Sequence, residues 1–125
     1  MTDEFKPSGY PSVSPYLIVR DAEKTLAFLA DVFGAERLRV IPDESGGILH
    51  AEARVEDSVI MMGQMPDDVD TNVHVYVADV EAAFERAQRA GGTVVQPLQR
   101  KGDGDYRGGI ADGNGTVWWI SQQGG

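Results

Sequence analysis

The chain contains two histidines, His50 and His74, and no cysteine. Thiol nucleophiles, disulfides and cysteine-ligated zinc are therefore excluded. His50 precedes Glu52 by two residues in Ile48–Val55, where Leu49, Ala51, Ala53 and Val55 alternate with His50, Glu52 and Arg54. A strand repeats every two residues, so His50, Glu52 and Arg54 share one face. An imidazole beside a carboxylate can move protons, with Glu52 as base and His50 or His74 as acid or orienting group. His50, Glu52 and His74 together would also offer three ligands to zinc, nickel or iron. The competing reading is that the histidines hydrogen-bond within the fold and Glu52 pairs with Arg54. Asp67, Asp68 and Asp70 lack the spacing of a calcium loop. No nucleophile elbow and no phosphate-binding glycine–lysine loop is present.

A chain of 125 residues suits one domain, and 42% hydrophobic with 25% charged residues is an ordinary globular balance. The formal net charge of −9 repels phosphate backbones and favours a cationic partner over nucleic acid. No apolar run reaches the ~20 residues that span a bilayer. Met1–Lys6 is acidic and lacks the apolar stretch of a signal peptide, so the expected location is cytoplasmic.

The elements that would hold the candidate residues follow from periodicity and punctuation. Residues 1–12 read as a polar arm. Strands are predicted over Val13–Val19, Glu36–Ile41, Ile48–Val55, Ser58–Met62, Asn72–Val77, Thr93–Leu98, Tyr106–Ala111 and Thr116–Ser121. Asp21 and Asp79 are helix N-caps, and Gly34 and Gly91-Gly92 are helix stops. Residues 64–71 form a linker, Gln99–Asp105 a charged loop that could cover the site, and residues 122–125 a tail. Asp21 and Asp79 stand 58 positions apart, as do Gly34 and Gly92, Val19 and Val77, and Val59 and Val117. The chain therefore reads as one domain, residues 13–121, built from two strand–helix–three-strand modules, 13–63 and 72–121.

The stretches Pro15–Asp21, Phe33–Glu36, His50–Glu52 with Asp57–Met61, and Gly108–Asp112 through Trp118–Ile120 carry a resemblance. The chain resembles the vicinal oxygen chelate superfamily, which includes glyoxalase I, extradiol dioxygenases and bleomycin- and fosfomycin-resistance proteins, and within it the PhnB-like branch. The resemblance implies an α+β fold of tandem βαβββ modules, with an eight-stranded mixed sheet curled around a cleft. It also implies a homodimer whose clefts can mix residues of two chains.

Strand alternation sorts the cleft. Ser14, Tyr16 and Ile18 on the first strand, and Asn72, His74 and Tyr76 on its repeat, face inward. Met61 and Trp119 face inward on the closing strands, while Ile60, Met62, Trp118 and Ile120 face the helices. The superfamily's metal positions fall on Ser14, Met61, Asn72 and Trp119. None is a good ligand for a hard cation, so no metal or other cofactor is expected. A displaced divalent metal at His50, Glu52 and His74 is the alternative. The ligand-binding set is Ser14, Tyr16, Met61, Asn72, Tyr76, Tyr106, Arg107 and Trp119, with Tyr106 or Arg107 reaching in from the charged loop. The resemblance to drug-sequestering relatives implies a binder of a small cationic or aromatic molecule. The alternative is a glyoxalase-like lyase or isomerase, or a dioxygenase-related enzyme, using the displaced metal or the Glu52/histidine pair. Met61 and Trp119 could either line the cleft or plug it.

Overall fold

The structure, a computed structural model, describes residues 5–100 and 102–124. The first four residues of the predicted arm, Lys101 of the predicted loop and Gly125 of the tail lie outside the described residues. The elements in order are β1 (Tyr16–Val19), α1 (Ala22–Phe33), β2 (Glu36–Pro42), β3 (Ile48–Val55), β4 (Ser58–Gln64), β5 (Thr71–Tyr76), α2 (Val80–Arg89), β6 (Thr93–Arg100), β7 (Asp105–Ala111) and β8 (Thr116–Gln123). Every predicted strand and helix is present. The first strand starts three residues later than predicted, after Pro15, which has no N–H for a ladder.

Both helices begin in the same way. Asp21 Oδ1 accepts from the Lys24 amide at 3.2 Å, and Asp79 Oδ1 from the Ala82 amide at 3.1 Å. Gln64 and Gln122, also 58 residues apart, add a second cap. Their Oε1 atoms accept from the Ala22 and Val80 amides at 2.7 and 2.9 Å. Gly34, at φ 67°, takes the left-handed conformation that closes α1.

The strands form two four-stranded sheets, ordered β1-β4-β3-β2 and β5-β8-β7-β6. This corrects the expected single eight-stranded sheet, for no strand of one sheet pairs with a strand of the other. The modules meet through α1 and α2, which pack on each other, so helices rather than strand edges form the seam. The repeat also slips once. Tyr16 pairs with Met61 and His74 with Trp119, preserving the 58-residue offset. Ala53 pairs with Ile60, but Trp118, the counterpart of Ile60, pairs with Ile110, only 57 residues beyond Ala53. Counted between paired residues, the β7–β8 hairpin holds one residue more than the β3–β4 hairpin, Ile110 to Trp118 against Ala53 to Ile60. His50 therefore corresponds to Arg107.

One buried cluster joins the halves. Trp118 is fully buried, with ring centroids 6.1 Å from Phe28 and 5.8 Å from Phe33 of α1 in the other module. Asn114, 1% exposed, reaches from the β7–β8 turn to the start of α1. Its Oδ1 accepts from the Arg20 and Asp21 amides, both at 3.1 Å. Its Nδ2 donates to the Asp21 carbonyl at 2.7 Å and the Thr25 hydroxyl at 2.6 Å. Asp112 braces this turn by accepting from the Asn114 and Thr116 amides and the Trp118 indole. Beyond the C-terminal part of α1, Arg86 donates twice to the Val32 carbonyl.

Removing the Asn114 amide would leave buried donors and acceptors without partners. Asn114→Ala is expected to cost about 3 kcal/mol in urea unfolding. A loss below about 0.5 kcal/mol would show that apolar contact alone joins the modules.

Candidate functional site

Each sheet has one face under the helices and one free of them. On the first sheet's free face, Glu52 is 2% exposed and lies beside His50, whose Nε2 is 2.7 Å from Glu52 Oε2. The Tyr10 hydroxyl donates to Glu52 Oε1. Burial pushes the Glu52 pKa up, but the hydrogen bonds from Tyr10 and His50 and the charge of Arg39 outweigh it, so the carboxyl sits below its ordinary 4.5. Glu52 is thus ionised at neutral pH with both oxygens engaged. The ionised carboxylate accepts from His50 Nε2, and His50 Nδ1 stands 3.3 Å from the Tyr16 hydroxyl. The Glu52–Arg54 pair considered from the sequence does not form, since Arg54 donates to the Gly9 carbonyl.

The second sheet's free face carries a different chain of polar groups. Arg107 Nε donates to Ser121 Oγ at 2.8 Å, and Ser121 Oγ is hydrogen-bonded to His74 Nε2 at 2.9 Å. The guanidinium also donates to Asp103 and Asp105 at 2.8 and 2.9 Å. Desolvation, followed by the charge of Arg107, holds the His74 pKa below 6.5 and favours the neutral ring. The Tyr76 hydroxyl donates to Asp105 at 2.8 Å, which raises its pKa above 10.0. Trp119 Nε1 donates to Asn72 Oδ1 at 2.9 Å. The indole lies over Gly109, where a Cβ would come within 2.6 Å of the ring.

Most residues singled out from the sequence thus share these faces, but on two separate sheets. Tyr16, His50, Glu52 and Met61 lie on the first, and Asn72, His74, Tyr76, Arg107 and Trp119 on the second. Ser14 stands just before β1, its Oγ buried without a partner among the described residues. Tyr106 does not join the second face. Its hydroxyl donates to Glu81 of α2 and its ring lies under Arg100, because neighbours in a strand point to opposite sides. The predicted loop is not a free lid, for Asp103 and Asp105 hold Arg107 against the sheet. Sequence reasoning missed Tyr10, which sits in an aperiodic arm. It also missed Ser121, which strand parity with Trp119 could have found.

The four positions that the resemblance assigns to a metal carry side chains poorly suited to a hard cation. The Asn72 oxygen and the Trp119 N–H engage each other, Met61 offers a thioether, and Ser14 a neutral hydroxyl. The displaced set is also divided, with His50 and Glu52 together and His74 on the other sheet. Among the described residues no three histidine, aspartate or glutamate side chains are placed to hold a metal ion.

Paired βαβββ modules with open free faces define a glyoxalase-type fold. The chain belongs to the glyoxalase/bleomycin resistance protein/dioxygenase superfamily, whose profile matches residues 11–120. It is similar to the uncharacterized protein Mb0911c of Mycobacterium bovis, 33% identical over 129 residues, covering 90% of this chain and 83% of that one. The structure of TioX from Micromonospora sp. ML1 superposes with a TM-score of 0.77 at 26% identity, covering 90% of this chain and 98% of TioX. The fosfomycin resistance protein FosX of Listeria monocytogenes, solved with Mn(II) and sulfate, shares the fold. Its TM-score is 0.73 at 18% identity, covering 94% of this chain and 93% of FosX. No helix of the described residues is long and apolar enough to cross a membrane.

The lowered Glu52 pKa makes stability depend on acid. Its contribution is fully present above the unfolded pKa near 4.5 and fades as pH falls through the lower folded value. Urea unfolding from pH 6 to pH 3 should therefore show a steeper loss for the wild type than for Glu52→Gln. Parallel curves would mean that the Tyr10 and His50 hydrogen bonds do not favour the ionised carboxylate.

Proposed function

We propose that the protein is a metal-independent binder of a small, planar, cationic or aromatic molecule, taken up on the helix-free faces. The observation that carries this reading is Trp119, held over Gly109 by its hydrogen bond to Asn72. An aromatic surface stands where relatives would place a cation ligand. Tyr16 and Tyr76, 52% and 60% exposed, extend the aromatic character on each sheet. The ionised Glu52 and the net charge of −9 favour a cation. A cytoplasmic location goes with this reading.

The reading also makes the working unit a homodimer. Within one chain, no hydrogen bond or aromatic pair among the described residues joins the two faces. A two-fold partner can set its second face against this chain's first, enclosing the ligand twice. A different reading rests on the Glu52–His50–Tyr16 series, in which a buried carboxylate fixes the imidazole tautomer and the exposed end is a phenol. That order suits proton transfer in a lyase or isomerase of the glyoxalase type, with the Tyr16 hydroxyl exchanging the proton. Loss of turnover of an enolisable carbonyl compound in Tyr16→Phe, with aromatic binding retained, would favour it.

Light scattering should return a mass twice 13.5 kDa. A panel of planar cationic aromatics, acridines among them, should quench Trp119 fluorescence saturably and equally with or without EDTA. Trp119→Ala should weaken binding at least ten-fold, as an aromatic anchor does. A flat response across the panel, or binding abolished by EDTA, would overturn the reading.

A further inference from the structure

The two free faces differ in where their aromatic cover comes from. On the second, the ring belongs to the sheet, for Trp119 lies over Gly109, with which it pairs. On the first, the counterparts of Gly109 and Trp119 are Glu52 and Met61, which pair with each other. The aromatic side chain that reaches Glu52 is Tyr10, whose hydroxyl donates to Oε1. It comes from outside the sheet, in residues 5–15, which belong to no helix or strand. A second hydrogen bond, from Arg54 to the Gly9 carbonyl at 2.9 Å, ties the same segment down. Phe5 and Val13 stay 78% and 84% exposed, so apolar burial does little to hold it. A cover held by a few polar contacts and little packing opens at low cost.

We infer that Tyr10 is an internal stand-in for a ligand: the first face binds a molecule bearing a neutral aromatic hydroxyl, which takes the Tyr10 position at Glu52 and displaces the arm. This rests on the reading that ligands are taken up on the free faces, and narrows it on the first sheet. Glu52 is buried and ionised, so Oε1 needs a donor whenever Tyr10 leaves. His50 keeps Oε2, which leaves one oxygen on offer. The net charge of the chain draws cations to the molecule as a whole, but guanidinium groups stand beside this oxygen. Arg39 acts by its charge on both Glu52 and Tyr10, and Arg54 lies two residues along the same face. They oppose a cation at Oε1. A carboxylate ligand would gain from the guanidinium groups, but it brings a second negative charge against Glu52 and no donor for Oε1. The hydrogen bond to Glu52 raises the Tyr10 pKa above 10.0, so the occupant in place is a neutral phenol.

The test is amide NMR of the ¹⁵N-labelled intact chain titrated with phenol. Pyridine (a planar ring without a donor), benzylammonium and benzoate serve as controls. In the wild type, the Gly9 and Tyr10 amides should move saturably toward the positions of a released arm, which Gly9 marks in Tyr10→Ala. Kd should be on the order of ten millimolar, because the probe competes with a tethered phenol. Tyr10→Ala should bind phenol at least five-fold more tightly, followed at the Glu52 amide. Each control should bind at least ten-fold more weakly than phenol. If Tyr10→Ala does not fold, Tyr10→Phe, which keeps the ring and loses the hydroxyl, takes its place. Wild-type arm amides that stay still would overturn the inference, even if phenol fills the hole in Tyr10→Ala. So would any control that binds as tightly as phenol. If acridines still quench Trp119 after such a result, this inference fails alone and the binding reading stands.

Discussion

The buried carboxamide of Asn114 is the contact on which the placement of the two modules depends. The stacking of Trp118 on Phe28 and Phe33 supplies adhesion, but apolar contact has no direction and tolerates sliding. The amide accepts from two backbone donors and gives to two acceptors, all within Arg20–Thr25 around the start of one helix. Only one placement of the β7–β8 turn satisfies them together, and a misplaced amide would be buried without partners. The seam is thereby fixed helix against helix. Each sheet then has one face committed to the core and one that no helix covers.

The two free faces solve the same electrostatic problem in different ways. Both contain charged groups shielded from water. On the first, the ionised Glu52 is satisfied by hydrogen bonds with Tyr10 and His50. On the second, Arg107 is neutralised by Asp103 and Asp105 and linked through Ser121 to a neutral His74. The one-residue slip matters here. It places Arg107 rather than Gly108 at the site of His50, opposite Ser121, the counterpart of Gly63, so each face carries its own polar chain. Ready-made partners leave few polar groups free on either face, while Tyr16, Tyr76 and Trp119 remain available for aromatic contact.

Much of this was legible in the sequence, and the rest fails for identifiable reasons. Asp21, Asp79 and Gly34 mark helix ends because capping is local chemistry. Period-two alternation puts His50 and Glu52 on one face without knowledge of neighbouring strands. The same rule, applied strictly, separates Tyr106 from Arg107, which the loop reading had left together. Tyr10 could not be found, because an arm has no period and its target is 42 residues away. The slip in the repeat escaped because matching residues at both ends of a module conceal one residue lost in one place and gained in another.

The sequence by itself determined the elements, their duplication, the helix-facing core and the unsuitability of Ser14, Met61, Asn72 and Trp119 as cation ligands. These follow from side-chain chemistry and from spacing within a few residues. Tertiary structure alone decided that the strands form two sheets, that Arg107 stands opposite Ser121 and His74, and that Asn114 fills one end of the seam. Those outcomes depend on pairing register and on contacts between residues up to 94 positions apart, such as Arg20 with Asn114, and no local propensity encodes them.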